Sequence, residues 1–212
     1  SANLSYLSMI EYINKSGADI VSVNEITPDW EYFLDSGLKE SYPYAAKLVR
    51  MDPFGLAFFS KLPIADIDTI SVYGGGHPHL QIGISFGLGK ELNVINSYFL
   101  PPLTRTAYGN YRVELTQLGQ RIANTTGPVI ALGDYNLSDW SNEMREYKEL
   151  SRMVSSRRDV SPGSNTGAKS LLNFPNDHIL FNQLLECIEF KTLNDTTGQH
   201  LGIRGIYQLK KN

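Results

Sequence analysis

Pro128-Val-Ile-Ala-Leu-Gly-Asp-Tyr-Asn136 is the stretch on which the reading of this chain turns. Val129 to Leu132 form a four-residue apolar run that predicts a buried strand. Gly133 breaks the run, and Asp134 and Asn136 follow at alternate positions. On an extended backbone, residues two apart face the same way. A carboxylate and a carboxamide are therefore expected to leave the strand end side by side. Strand ends of α/β proteins are frequent positions for catalytic groups. Asp and Asn are also turn formers, so the stretch alone reads equally well as a strand closed by a polar turn.

Alternating elements extend on both sides of it. Leu7, Ile10 and Ile13 fall at helical spacing between about Ser5 and Lys15, with Gly17 suited to a helix end. Asp19 to Asn24 reads as a buried strand ending at Glu25. Residues 30–40 suit a short helix, and Gly55 to Phe59 a strand. Leu80, Ile82, Ile84 and Phe86 alternate cleanly, and Gly87 to Lys90 is a hairpin turn into a strand over 92–97. Tyr111, Leu115, Leu118 and Ile122 mark a helix, and residues 141–153 a second one. Residues 161–167 read as a loop, and His178–Phe181, Cys187–Phe190 and Ile203–Leu209 as closing strands. Strands outnumber helices and several are joined by short turns. This favours largely antiparallel sheets flanked by helices over a doubly wound parallel sheet.

Composition narrows the class. The 212 residues suit a single domain spanning 1–212, and 42% hydrophobic with 19% charged content is globular. Nineteen basic against 22 acidic residues leave a net charge of −3, which disfavours a broad nucleic-acid footprint. Cys187 is the only cysteine, so an internal disulfide and a cysteine-rich metal site are excluded. No apolar run is long enough for a transmembrane segment, and no signal peptide is visible. The chain opens at Ser1-Ala-Asn-Leu4 without an initiator Met. We therefore expect sequence upstream, or a truncated first strand.

The strand ends share a chemistry. Glu25 ends the first strong strand, Tyr98 the 92–97 strand, and Asp134 and Asn136 the 128–132 strand. Asp177 and His178 open the 178–181 strand, and Gln199-His200 precedes the last. Carboxylates, an amide and a histidine gathered in this way suit hydrolysis at phosphorus. Hard oxygen ligands hold Mg²⁺ or Mn²⁺, a carboxylate can activate water, and a histidine oriented by an aspartate stabilises charge on phosphate.

With those landmarks in place, the chain resembles the endonuclease/exonuclease/phosphatase superfamily of metal-dependent phosphoesterases related to deoxyribonuclease I. Six segments follow the family order: Ala18–Glu25, Gly55–Pro63, Leu92–Tyr98, Gly133–Asn136, Asn176–Leu180 and Gln199-His200. The spacing from Pro101-Pro102 through Arg112 to Gly133–Ser141 is most similar to the small, often membrane-tethered bacterial branch. The resemblance implies a four-layer α/β sandwich of two mostly antiparallel sheets flanked by helices, with Glu25, Asp134, Asn136, Asp177 and His200 converging at one rim.

The resemblance also implies roles. Glu25 is the principal ligand of a Mg²⁺ or Mn²⁺ ion. Asp134 accepts a proton from the attacking water or holds that water, and Asn136 orients Asp134 and binds phosphate. Asp177 pairs with His200, which neutralises a phosphate oxygen. Asn3 falls where the family's first strand ends in Asn, and Tyr98 offers a hydroxyl where many relatives carry His. Two departures stand out. Gly198-Gln-His200 replaces the family's Ser-Asp-His, so Gln199 supplies a neutral oxygen in place of a charged metal neighbour. Asn24 stands where relatives have Gln.

Other polar residues carry less. Gly74-Gly-Gly-His-Pro-His79 reads as a surface turn rather than a two-histidine metal site, and Arg157-Arg158 and Lys210-Lys211 as solvated surface. Arg112 is equally a phosphate contact or half of a structural ion pair, and Trp140 is expected to pack beneath the loop after Asn136. Tyr108, Tyr111 and Phe174 are candidates for the cleft border. Three readings stay open: a phosphodiesterase or phosphatase acting on a small or lipid-linked phosphate ester, a nuclease of the same fold, and a catalytically weakened domain that binds phosphorylated ligands or partners.

Overall fold

The computed structural model describes residues 6–72, 77–87, 89–157, 176–195, 198 and 200–211. Asn3, Gln199, Phe174, Arg158 and the loop expected over 161–167 lie outside the described residues. The architecture is mixed α/β with antiparallel sheets, as the patterning predicts. The chain divides into two compact units, one of Ser1–Ile70 with His77–Tyr98 and one of Ser71–Gly76 with Phe99–Asn212.

The first unit runs α1 (Tyr6–Ser16), β1 (Ile20–Asn24), α2 (Pro28–Leu38), β2 (Tyr44–Leu48), β3 (Leu56–Ser60), β4 (Ile64–Ile70), β5 (His79–Ser85) and β6 (Glu91–Tyr98). Strands β1, β3 and β2 form an antiparallel sheet with β3 in the middle, in register Val23↔Ala57 and Ala46↔Phe58. All five residues of β3 are buried, whereas β1 is only half-buried. The burial expected of residues 19–24 thus belongs to β3, because a flanking strand has a neighbour on one side only. Helices α1 and α2 press Ile13, Leu34 and Leu38 onto Ala57 and Phe59, with Ile26 and Tyr42 completing the core. Gly17, at φ 69°, ends α1 as its position suggested.

Strands β4, β5 and β6 are consecutive and antiparallel, in register Ile67↔Ile82 and Ile82↔Val94. Leu80, Ile82 and Ile84 are buried as their alternation predicts. Phe86 falls beyond the strand, in a turn where its N–H donates to the Lys90 carbonyl at 3.2 Å. Strands β2 and β4 were not legible in the sequence. Much of β4 is exposed and carries Asp66 and Asp68, the composition of a strand beside water. His79 corrects another expectation: it pairs with Ile70 in the ladder and is fully buried, so it is not part of a surface turn.

The second unit contains α3 (Arg105–Ala123), β7 (Val129–Asp134), α4 (Asn142–Ser151), β8 (Met153–Ser155), β9 (Asp177–Asn182), β10 (Leu185–Asn194) and β11 (His200–Leu209). Within it β9 lies between β7 and β8, antiparallel to both, with Leu132↔Ile179 and Val154↔Phe181. Strands β10 and β11 form an antiparallel ribbon. Tyr111, Leu115, Leu118 and Ile122 are all buried on one side of α3. The Thr104 side chain accepts from Ala107 N–H and Ser141 from Met144 N–H, capping α3 and α4. Arg152 turns left-handed at φ 57° and ends α4, so β8 begins where the helix was expected to continue. Among the described residues no helix is long and apolar enough to cross a membrane.

One backbone contact in the first unit fixes the bend after β1. Ile26 N–H donates to the Gly55 carbonyl at 3.1 Å. A Cβ added at Gly55 would stand 1.9 Å from the Ile26 carbonyl oxygen, so the two segments approach closer than any side chain allows. Gly55→Ala should therefore lower unfolding stability by about 1–3 kcal/mol through overpacking. Gly109→Ala, in α3 with open space around it, should instead gain about 1 kcal/mol of helix propensity. Urea denaturation of both variants checks the contrast.

Candidate active site

In the first unit the site is built on the bend between β1 and α2. Glu25 has φ 61°, a left-handed conformation uncommon for a residue with a side chain. Buried Ile26 and its bond to Gly55 hold it there. The Glu25 side chain is exposed, and the Tyr98 hydroxyl donates to its Oε1 at 2.8 Å. Tyr98 is itself buried, with its ring set edge-on to Phe54 at 5.8 Å between centroids. Its hydroxyl, expected to meet phosphate, here orients the glutamate. The Asn24 amide reaches the Ser97 carbonyl at 3.4 Å, and the Asn96 amide reaches Ala57 at 3.3 Å, tying β6 to β1 and β3.

In the second unit the decisive stretch ends in a turn. Gly133 has φ 141° and Asn136 φ 49°. The extended alternation inferred for Asp134 and Asn136 therefore stops at Asp134. The two residues are linked through the backbone: Asn136 N–H donates to Asp134 Oδ1 at 2.8 Å. The Asn136 amide donates to the Phe99 carbonyl at 2.7 Å, and Phe99 N–H to the Asp134 carbonyl at 2.9 Å. Tyr135 N–H donates to the Asn176 carbonyl at 3.0 Å, and the Tyr111 hydroxyl to the Tyr135 carbonyl at 2.5 Å. The segment is a polar turn, and its hydrogen bonds hold Asp134 and Asn136 in a fixed relation.

Asp177 stands directly opposite Asp134 in the β7–β9 ladder. Opposed residues project from the same face with Cβ atoms about 5 Å apart. Asp177 Oδ2 lies 2.6 Å from His200 Nε2. Asp134, Asp177 and His200, three of the residues singled out in the sequence, thus share one end of the second unit's strands. Asp177 and His200 are both partly exposed, open enough to meet a ligand.

Other expectations change. Arg112 Nη2 pairs with Glu146 Oε2 at 2.8 Å across α3 and α4, which is the structural alternative held for it. Trp140 is 42% exposed and does not pack under the turn. Tyr135 fills that place, fully buried between Phe99, Tyr147 and the His178 ring. Arg157 is only 5% exposed, against the expectation of solvated surface. His178 is buried behind Asp177: its Nε2–H donates to the Leu137 carbonyl at 2.7 Å, and Nδ1 lies 3.8 Å from Asp139 Oδ1. Lys148 Nζ meets that same carboxylate at 2.9 Å. The roles of His178, Asp139, Lys148 and Arg157 were missed in the sequence. Only the position of His178 beside Asp177 offered a signal.

Among the described residues no group of three or more His, Cys, Asp or Glu side chains could hold a metal by itself. Glu25 offers an exposed hard carboxylate with one oxygen held by Tyr98. That donor fits a Mg²⁺ or Mn²⁺ ion bound through one carboxylate and otherwise by water, which is how such ions are commonly held.

Comparisons with known proteins identify the family and the fold. A family model described as the Endonuclease/Exonuclease/phosphatase family matches residues 1–198, so the match ends two residues before His200. No curated protein matches the sequence. Among solved structures, an endonuclease/exonuclease/phosphatase from Beutenbergia cavernae is similar at TM-score 0.77 and 15% identity, covering 98% of this chain and 67% of its own. The human Nocturnin catalytic domain, solved with a bound sulfate anion, is similar at 0.76 and 13%, covering 97% and 86%. Sphingomyelinase C from Streptomyces griseocarneus follows at 0.64 and 13%, covering 95% and 88%. At these identities the likeness is one of fold, and that fold is deoxyribonuclease I-like.

Burial holds the His178 pKa below the ordinary histidine value; its bond to Leu137 and the Asp139 carboxylate act the other way but are outweighed. The unfolded chain therefore binds this proton more readily than the folded one. Its contribution to stability is present above the ordinary pKa and is lost as pH falls through about 6.5. Between pH 7.5 and 5.5 the protein should lose stability with a limiting slope of about 1.4 kcal/mol per pH unit from this group. His178→Gln, which can still donate to Leu137, should remove that component. Parallel pH profiles of the denaturation midpoint test it; identical slopes would mean that His178 takes up its proton equally in the folded and unfolded states.

Proposed function

The chain belongs to the endonuclease/exonuclease/phosphatase family, and from that membership we propose that it hydrolyses phosphate esters with the aid of a divalent cation. Members of this family are in general hydrolytic phosphoesterases. The observation that carries the reading is the 2.6 Å bond between Asp177 and His200. It joins side chains 23 residues apart, and its histidine lies outside the matched family span. A partly exposed histidine held by a carboxylate beside a second carboxylate suits charge stabilisation at a phosphoryl group.

In this proposal Glu25 holds the cation, Gln199 is retained as a second oxygen donor on its chain position alone, and Tyr98 keeps Glu25 in its working orientation. The cation, when bound, offsets negative charge on the phosphate. Asp134 takes a proton from the water that attacks phosphorus. Asn136, through its backbone N–H, fixes the Asp134 carboxylate for that task. His200 gives Nε2–H to Asp177, which leaves Nδ1 to donate to a non-bridging oxygen in the imidazolium form. As the water oxygen bonds to phosphorus, the bond from phosphorus to the ester oxygen breaks, the departing oxygen takes a proton from solvent, and Asp134 releases the proton it accepted. Asn3 is retained as a phosphate contact on its chain position alone, while Arg112 is assigned to the α3–α4 surface. The net charge of −3 favours a small or lipid-linked ester over nucleic acid.

The purified protein should hydrolyse bis(4-nitrophenyl) phosphate with Mn²⁺ and stop when EDTA is added. Glu25→Gln and Asp177→Ala should each lower the rate on the order of 10²-fold with unchanged circular-dichroism melts. Turnover that survives EDTA would overturn the cation's role. Absence of turnover across phosphomonoesters, phosphodiesters, DNA and phospholipids would favour a binding domain. DNA cleaved in preference to all other esters, with steep salt dependence, would favour the nuclease reading.

Gln199 supplies a separate test. A neutral amide contributes less than a carboxylate to holding a hard cation. Gln199→Asp should therefore tighten Mn²⁺ binding in a calorimetric titration by on the order of tenfold. Equal affinity in both proteins would remove residue 199 from the cation site.

A further inference from the structure

Arg157 is the most unusual ionised group in the second unit. It follows β8 directly, at the point where Ser156 N–H donates to the Ile179 carbonyl at 2.9 Å, beside the start of β9. Its side chain reaches β10. The guanidinium carbon sits 4.8 Å above the Phe190 ring, and Nη1 donates to Thr192 Oγ1 at 3.3 Å. Arg157 is 95% buried, yet Nε and Nη2 find no hydrogen-bond partner among the described residues. Those two atoms are the pair with which Arg50 grips Asp52 elsewhere in the chain. Arg157 makes no such grip, so its charge is not neutralised by direct contact. Burial works against that charge, while the nearby carboxylates of Asp139 and Asp177 work in its favour. A buried cation without a close partner is costly, and its retention calls for a reason.

The location supplies one. The two members of the Asp177–His200 pair lie on different sheets. Asp177 opens β9, whereas His200 opens β11 and pairs with Asn194 on β10. Arg157 spans these elements, anchored in sequence at the β9 side and by Phe190 and Thr192 on the ribbon. A second tie, Ser156 Oγ to the Tyr207 hydroxyl at 2.6 Å, joins the same elements. Of the two carboxylates that Arg157 feels, Asp139 acts the more strongly and is already met by Lys148 at 2.9 Å, whereas Asp177 acts less strongly and is met by His200.

We propose that Arg157 is a positioning residue for the Asp177–His200 pair. Its buried guanidinium attracts the Asp177 carboxylate, the acceptor for His200, and its span from β8 to β10 fixes the distance between Asp177 and His200. This deepens the phosphoesterase reading and rests on it for any effect on catalysis, but the structural claim can be tested without turnover.

The experiment observes the His200 imidazole by nitrogen-15 NMR in the full chain, with Asp177→Asn identifying the signal of the Nε2–H bonded to the carboxylate. Arg157→Met keeps side-chain bulk and removes the charge; Arg157→Lys keeps the charge and removes the fork. The expected result is loss of the hydrogen-bonded Nε2–H signal in Met, retention in Lys, and little change in thermal midpoint for either. On the chromogenic diester kcat should fall at least tenfold in Met, with KM within twofold. A Met variant that keeps the wild-type signal overturns the proposal, as does loss of the signal in both folded variants, which would assign the pair's geometry to shape and not charge. If Met does not fold, Arg157→Gln carries the same comparison. Should no ester be turned over, the phosphoesterase reading fails while the imidazole signal still decides the role of Arg157.

Discussion

The backbone of Phe99 is the constraint on which the second unit's polar groups depend. Its N–H donates to the Asp134 carbonyl and its carbonyl receives the Asn136 amide, so one residue grips both ends of the turn after β7. The turn would otherwise carry polar groups with several competing arrangements, since Asp and Asn can bond their own backbone in more than one way. Tyr111 and Asn176 hold the intervening Tyr135 from two further elements. The result is a short segment whose backbone is fastened on several sides while Asp134 stands at the strand end.

A similar arrangement governs Glu25. The residue is exposed and adopts a conformation that costs about 1–3 kcal/mol. Burial of Ile26 and the close approach of Gly55 sustain it. In both units the functional candidate is adjacent to a fully buried residue: exposed Glu25 precedes Ile26, and half-buried Asp134 precedes Tyr135. The neighbouring apolar or aromatic side chain acts as the anchor, and the polar one is held at the end of a rigid lever. Positioning by packed neighbours is how a site keeps its geometry without ligand.

The buried polar groups form a second layer in the second unit. His178, Asp139 and Arg157 are buried and Lys148 is half-buried, whereas Asp177 and His200 are partly exposed. Burial keeps His178 neutral and favours a single hydrogen-bonding pattern toward Leu137. Lys148 satisfies Asp139. Low dielectric makes such an arrangement sensitive to each member, since an unpaired group inside costs more than at the surface.

By itself the sequence determined the elements whose hydrophobic period is strong. The α3 face of Tyr111, Leu115, Leu118 and Ile122, the β5 alternation and the strand before Gly133 follow from side-chain spacing, because burial enforces period on any element that packs one face. It also identified Asp177 and His200 as partners through motif order. Strands β2 and β4 escaped it, since a strand beside water needs no apolar alternation and its pairing is set by a neighbour remote in sequence. Tertiary structure alone decided that His79 and Arg157 are buried, that Arg112 answers Glu146, and that Tyr135, not Trp140, fills the space beneath the turn. It alone decided that Asp134 and Asn136 communicate through a left-handed turn instead of strand alternation. The physical reason is common to these cases: period records only which face an element buries, whereas the environment of a charged or aromatic side chain is set by long-range contacts that leave no local pattern.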